Sequence, residues 1–124
     1  MLLGDCFRRL GRKPRLLTIE LVAGDRMALG RTICRFTRAE RAALPWPDAH
    51  TARLYERLMA RNPRGYDGWH PGGEQRVPVR LSAAQWRMVD HLCTQQLAAT
   101  PNAWPSRILA AIGASAGATD GAAA

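Results

Sequence analysis

Apolar and polar residues alternate along positions 76–81. Because successive side chains of a β-strand point to opposite faces, this alternation predicts a half-buried strand. The inward face would carry Val77, Val79 and Leu81, and the outward face Arg76, Pro78 and Arg80.

A second apolar run, residues 15–23, is rich in β-branched and aliphatic side chains and ends at Gly24 and Asp25. This composition followed by turn residues predicts another strand. Residues 31–36 could return as its partner and form a hairpin over about residues 15–36. Residues 27–36 fit a helix as well, so both alternatives stay open.

Two capping boxes mark helix starts in the sequence. Thr37 with Glu40 predicts a short helix to Leu44, and Ser82 with Gln85 predicts a long helix to about residue 99. The buried face of the long helix would hold Trp86, Val89, Leu92, Cys93 and Leu97.

Two further helices are expected between and after these. One begins at Asp48 and runs to about Arg61, with Thr51, Leu54, Tyr55 and Leu58 on its apolar face. The other begins at Pro105, and we expect it to end at Ile112, before Gly113.

These elements predict an α+β fold, in which a small sheet (the hairpin of about residues 15–36 plus strand 76–81) packs with three to four helices. A single globular domain would cover residues 1–112, and a Gly/Ala-rich tail, residues 113–124, would be disordered. No sequence repeat is evident along the chain.

The chain from the strand at 76–81 through its capped helix to the helix at Pro105 resembles the ribbon-helix-helix family of DNA-binding proteins. In that family, strands from two protomers form an antiparallel ribbon that enters the major groove. The resemblance implies a C-terminal homodimer unit over residues 76–112, as the alternative to a strand that pairs within its own chain. It also implies that Arg76 and Arg80 contact guanines and that Ser106 contacts a phosphate.

The net charge of the chain supports the hypothesis of a polyanionic partner. The chain has 124 residues with 18 basic and 10 acidic side chains, a net charge of +8. All the basic residues but Lys13 are arginines, a usage that a GC-rich genome would also produce. Arginine nevertheless suits phosphate and base edges, because its planar guanidinium donates hydrogen bonds in pairs.

Further candidate contacts lie outside the strands. Spacing of four residues aligns Arg53, Arg57 and Arg61, which Arg64 extends into the following loop, and the N-terminal segment carries Arg8, Arg9 and Arg12. The alternative for the helical arginines is a solvated helix face. In the Gly- and Pro-rich loop, Tyr66, Trp69 and His70 are candidate stacking or partner residues, although Trp69 could instead fill the core.

We therefore expect a small, non-enzymatic, DNA-binding or DNA-associated accessory protein of bacterial type. Its three cysteines are odd in number and widely spaced, which favours the reducing cytoplasm, and no catalytic set, metal site or cofactor is predicted. The expected partner is nucleic acid, DNA above all, or an acidic protein surface, with no membrane and with a homodimer left open. The rival hypothesis is a protein-interaction module, an adaptor or inhibitor that uses exposed Trp, Tyr and Arg anchors.

Overall fold

The computed structural model describes residues 15–60, 75–100 and 102–123, with side chains described up to residue 116 in the last range. The elements are β1 (Leu16–Val22), α1 (Ala23–Arg35), α2 (Arg38–Ala42), α3 (Asp48–Leu58), β2 (Arg76–Ser82), α4 (Ala83–Ala99) and α5 (Ala103–Ala123). The α+β class is confirmed, with five helices in these ranges rather than three to four.

The two strands pair with each other in antiparallel orientation, with Ile19 opposite Val79 at the centre. We call this pair of strands the ribbon. Its inner face contributes five buried residues to the core: Ile19, Leu21, Val77, Val79 and Leu81. The predicted strand at 76–81 and its facing are therefore confirmed, and its partner belongs to the same chain.

Of the two alternatives for residues 27–36 the helix is confirmed, and the return strand at 31–36 with its hairpin is wrong, because residues 23–35 form α1. Leu29 and Ile33, one helical turn apart, are both buried and fix the helix against the core. The hydroxyl of Thr32 donates to the carbonyl oxygen of Ala28 at 2.9 Å, which satisfies this β-branched residue inside a helix. Tertiary burial thus outweighs the local strand preference of Thr32 and Ile33.

Both predicted capping boxes are confirmed, at Thr37 with Glu40 and at Ser82 with Gln85. The predicted burial of Leu97 is wrong, since this side chain is 40% exposed in the last turn of α4. Helix α5 begins at Ala103 rather than Pro105 and continues through Gly113 to Ala123, where we expected irregular chain. Alanine has the highest helix propensity and supports this continuation.

The fold contains a structural repeat that the sequence does not display. The first half, residues 16–58, and the second half, residues 76–123, each begin with a seven-residue strand that passes directly into a helix. Ile19 and Val79 are the middle residues of their strands and also face each other, so a pseudo-two-fold axis passes through this pair. The last helix of each half packs on the strand of the other: α3 on β2, and α5 on β1.

Across the described ranges, every helix is too short or too polar to cross a membrane.

Candidate nucleic-acid interface

The outer face of the ribbon is exposed and carries both residues that were predicted to read bases, Arg76 and Arg80. Thr18 lies opposite Arg80, and Glu20 lies opposite Pro78. Both Arg80 and Arg76 point away from the core, as predicted. Because residues on the inner face of the same strands are buried in the core, packing holds the backbone that carries these arginines in place.

The two ends of the outer face differ in charge. One side of the Ile19–Val79 pair carries Thr18 and Arg80, and the other carries Glu20 and Pro78, with Arg76 beyond them. The first side is therefore cationic, while the second combines one carboxylate with one guanidinium.

A groove of about 490 Å³ adjoins the ribbon where β2 ends. It brings together Arg53 and Arg57 of α3, as their spacing predicted, and adds His50 from the same helix. Arg53 is exposed and faces solvent, whereas Arg57 is half-buried and makes a hydrogen bond within the fold.

Arg57 forms this hydrogen bond with the first turn of α4. Its Nη1 donates to Oε1 of Gln85 at 2.9 Å, and the same oxygen accepts from the backbone N–H of Ser82 at 3.0 Å. The capping box of α4 therefore also ties α3 to the second half.

An equivalent contact at the other end of the ribbon was not foreseen from the sequence. Arg107 of α5 donates from Nε and Nη2 to the carboxylate of Asp25 near the start of α1, at 2.9 and 2.7 Å. The Asp25 side chain is only 3% exposed, while that of Arg107 is 51% exposed. Asp25 holds the position in α1 that Gln85 holds in α4, a correspondence that only the paired strands reveal.

Ser106 is exposed, but it lies one turn inside α5 because the helix begins at Ala103. The first turn instead contains Pro105, which is fully buried and has no backbone N–H to donate. The phosphate contact that the resemblance implied for Ser106 therefore does not coincide with the first residue of this helix.

The remaining predicted residues lie outside the described residues: Arg8, Arg9, Arg12, Arg61, Arg64, Tyr66, Trp69 and His70. Arg15, the first described residue, is exposed and directly precedes β1. In the antiparallel pairing, Leu16 faces Ser82, so β1 begins at the end of the ribbon beside the groove that contains Arg53.

The described thiols and imidazoles form no reactive or metal-binding constellation. No group of three His, Cys, Asp or Glu side chains in the described part of the chain is placed to hold a metal. Burial raises the pKa of the Cys93 thiol to about 12, which keeps it protonated. Cys34 is exposed and interacts with the hydroxyl of Tyr55, which raises the pKa of that tyrosine.

All three tryptophans in the described residues, Trp46, Trp86 and Trp104, are part of the fold, and Trp86 is buried in the core. Trp46 donates from Nε1 to Oγ1 of Thr51 at 2.8 Å and meets the ring of His91 edge-on, with ring centroids 5.2 Å apart. Trp104 is half-buried against the core. None of these rings projects freely as an anchor for a partner.

Comparisons with protein-family models, with curated proteins and with solved structures found no match.

Proposed function

We propose that this chain is a DNA-binding protein that inserts the outer face of its ribbon into the major groove. The observation that carries the proposal is a two-stranded antiparallel ribbon with one face in the core and an exposed face that bears Arg76 and Arg80. The major groove of B-DNA is wide enough for such a ribbon. Arginine is also the side chain that most often reads guanine, through O6 and N7.

The arrangement resembles the ribbon-helix-helix plan, with both strands supplied by one chain. Each strand leads into a helix, and the last helix of each half packs on the opposite strand. A second protomer is not needed to complete the ribbon, since β1 takes the place of the partner strand.

Phosphate contacts would come from the flank of the ribbon. Arg53 is exposed in the groove beside the end of β2, and Arg15 is exposed where the chain enters β1. These side chains lie at the same end of the ribbon and belong to a chain with a net charge of +8. Such contacts supply affinity that does not depend on base sequence.

The alternative of a protein partner has less support. Trp46 and Trp104 are packed into the fold, so the described part of the chain offers no aromatic cluster as a binding anchor. An acidic protein surface would be favoured only if the chain failed to bind DNA. We also propose the cytoplasm as its location, because Cys34 and Cys93 are free thiols.

The experiment that tests the proposal is fluorescence anisotropy with a pool of labelled duplexes at 50 and 200 mM salt. We expect the wild-type Kd to rise by orders of magnitude over this range, because displaced counterions return to the phosphates. Arg53→Ala should weaken binding to all duplexes alike and reduce the salt slope by about one. Arg80→Ala should instead weaken binding to preferred sequences about 10- to 100-fold.

Arg35→Ala is the matched control, because Arg35 is an exposed arginine at the end of α1 farthest from the ribbon. It should bind as the wild type does. If the wild type fails to bind any duplex at 50 mM salt, the proposed function is wrong.

A further inference from the structure

We infer that one copy of this chain reads a DNA sequence without two-fold symmetry. The inference rests on the proposed function and concerns which bases the ribbon selects. Its basis is the mismatch between a backbone that is nearly symmetric and an outer face that is not.

The backbone symmetry is set by the register. Ile19 and Val79 are the central residues of their strands and face each other, so the positions on either side of this pair are related by the pseudo-two-fold axis. Glu20 corresponds to Arg80, and Thr18 corresponds to Pro78. A ribbon with identical strands would present identical pairs on both sides of the axis and would select an inverted repeat.

The side chains of the outer face break this symmetry completely. At the first pair of related positions, a carboxylate in Glu20 corresponds to a guanidinium in Arg80. At the next, the hydroxyl of Thr18 corresponds to the ring of Pro78, and at the ends the aliphatic Leu16 corresponds to Arg76. No donor or acceptor on one side is repeated at its related position on the other.

These differences point to different bases. Arg80 donates two hydrogen bonds and fits guanine, whereas Glu20 only accepts and fits the exocyclic amino group of cytosine. Alternate residues of a strand are about 6.8 Å apart, close to two base-pair steps of about 3.4 Å each. Arg80 and Glu20 lie one residue to either side of the central pair but on opposite strands, so they face opposite halves of a short site.

The symmetry of the backbone provides a sharp test. Glu20→Arg places an arginine at the position related to Arg80 and makes this pair of positions alike. If the two halves of the ribbon contact equivalent positions on the DNA, the variant should require a second guanine, on the opposite DNA strand, at the symmetry-related base pair. Asp90→Arg is the control, because it makes the same charge change at an exposed position of α4.

The experiment selects duplexes from a pool with about ten randomised central base pairs, followed by sequencing and by native mass spectrometry of the preferred complex. We expect the wild type to select a motif with no inverted repeat and to bind as one chain per duplex. Glu20→Arg should add the symmetry-related guanine, with about 10-fold or greater preference over other bases at that pair. Asp90→Arg should leave the wild-type motif unchanged.

Several results would overturn the inference while leaving DNA binding intact. These are an inverted repeat selected by the wild type, two chains on the preferred duplex, binding without sequence preference, and a Glu20→Arg variant that binds more tightly with an unchanged motif. Failure of the wild type to bind any duplex at 50 mM salt would instead remove the proposed function, and the inference with it.

Discussion

Arg57 of the first half and Arg107 of the second half make equivalent contacts with chemically different acceptors. Arg57 donates to the neutral side chain of Gln85, and Arg107 donates to the buried carboxylate of Asp25. Each contact joins the last helix of one half to the first helix of the other. A hydrogen bond to an amide therefore connects the two halves at one end of the ribbon, and an ion pair connects them at the other end.

The interior of the two halves also accepts different residues at equivalent positions. Leu29 and Val89 occupy equivalent helix positions and are both fully buried, and Arg26 is as well buried as its counterpart Trp86. The helix starts also differ, since Ser82 caps α4 with its side chain, whereas Val22 gives α1 no side-chain cap. Burial is thus repeated at several equivalent positions but not at all of them, since Leu17 is 40% exposed and its counterpart Val77 is 2% exposed. Residue identity is mostly not repeated, which explains why the repeat is invisible in the sequence.

The backbone of the two halves is therefore constrained, whereas the side chains of the outer face are free to vary. Inner residues must fill one shared core, so their size and apolarity are restricted. Outer residues such as Glu20 and Arg80 face solvent, and nothing in the packing requires them to match.

The largest expected effect comes from the buried leucines of the ribbon. Leu21 and Leu81 are 2% and 0% exposed at equivalent positions. Replacing either by Ala should lower the free energy of unfolding by about 2–5 kcal/mol, because each change leaves a cavity in one shared core. Urea unfolding followed by circular dichroism and tryptophan fluorescence should show one coincident transition for both variants.

Thr18→Ala, on the exposed face of the same ribbon, is the control and should change stability by less than about 0.5 kcal/mol. Separate transitions for the two halves would contradict the picture of a shared core.

A smaller difference should separate the two arginine contacts. Arg107→Ala leaves the buried Asp25 carboxylate without its bidentate partner, and we expect a loss of about 2 kcal/mol. Arg57→Ala should cost only about 1 kcal/mol, since Oε1 of Gln85 keeps its bond to the N–H of Ser82. The measurement is the same urea unfolding, with Arg35→Ala as an exposed arginine control. Equal losses for Arg57→Ala and Arg107→Ala would show that burial of the acceptor does not distinguish the two contacts.

The smallest effect concerns pH and the pair Ile33 and Cys93, which occupy equivalent helix positions. Burial raises the pKa of Cys93 from its ordinary value of 9.0 to about 12, so the folded state holds a proton that the unfolded state releases. The stability that the protonated Cys93 thiol contributes to the folded state is therefore fully present below pH 9, and it is lost as the pH rises towards 12. Between pH 8 and 10 this loss should be about 1 kcal/mol.

Cys93→Val makes the position apolar, as Ile33 is, and should remove this part of the pH dependence. The pKa of Tyr55 is also raised and contributes in the same direction, so the quantity to compare is the difference between wild type and variant. Identical pH profiles would show that the thiol remains accessible to ionisation in the folded protein.

Local signals were sufficient for several elements of the fold. The alternation at 76–81 defined β2 and its facing, because strand side chains repeat every two residues. The capping boxes at Thr37 and Ser82 defined helix starts, because their hydrogen bonds join residues three apart. The exposure of Arg76 and Arg80, central to the proposed interface, follows from the same alternation.

The sequence by itself therefore determined β2, its outward arginines, the capped helices and the strongly basic character of the chain. Only the tertiary structure decided that β2 pairs with β1, that residues 23–35 are helical, and that Asp25 meets Arg107. The physical reason is distance along the chain. Strand pairing and ion pairs between residues far apart in sequence depend on the sum of burial over the whole core, which no local pattern of residues encodes.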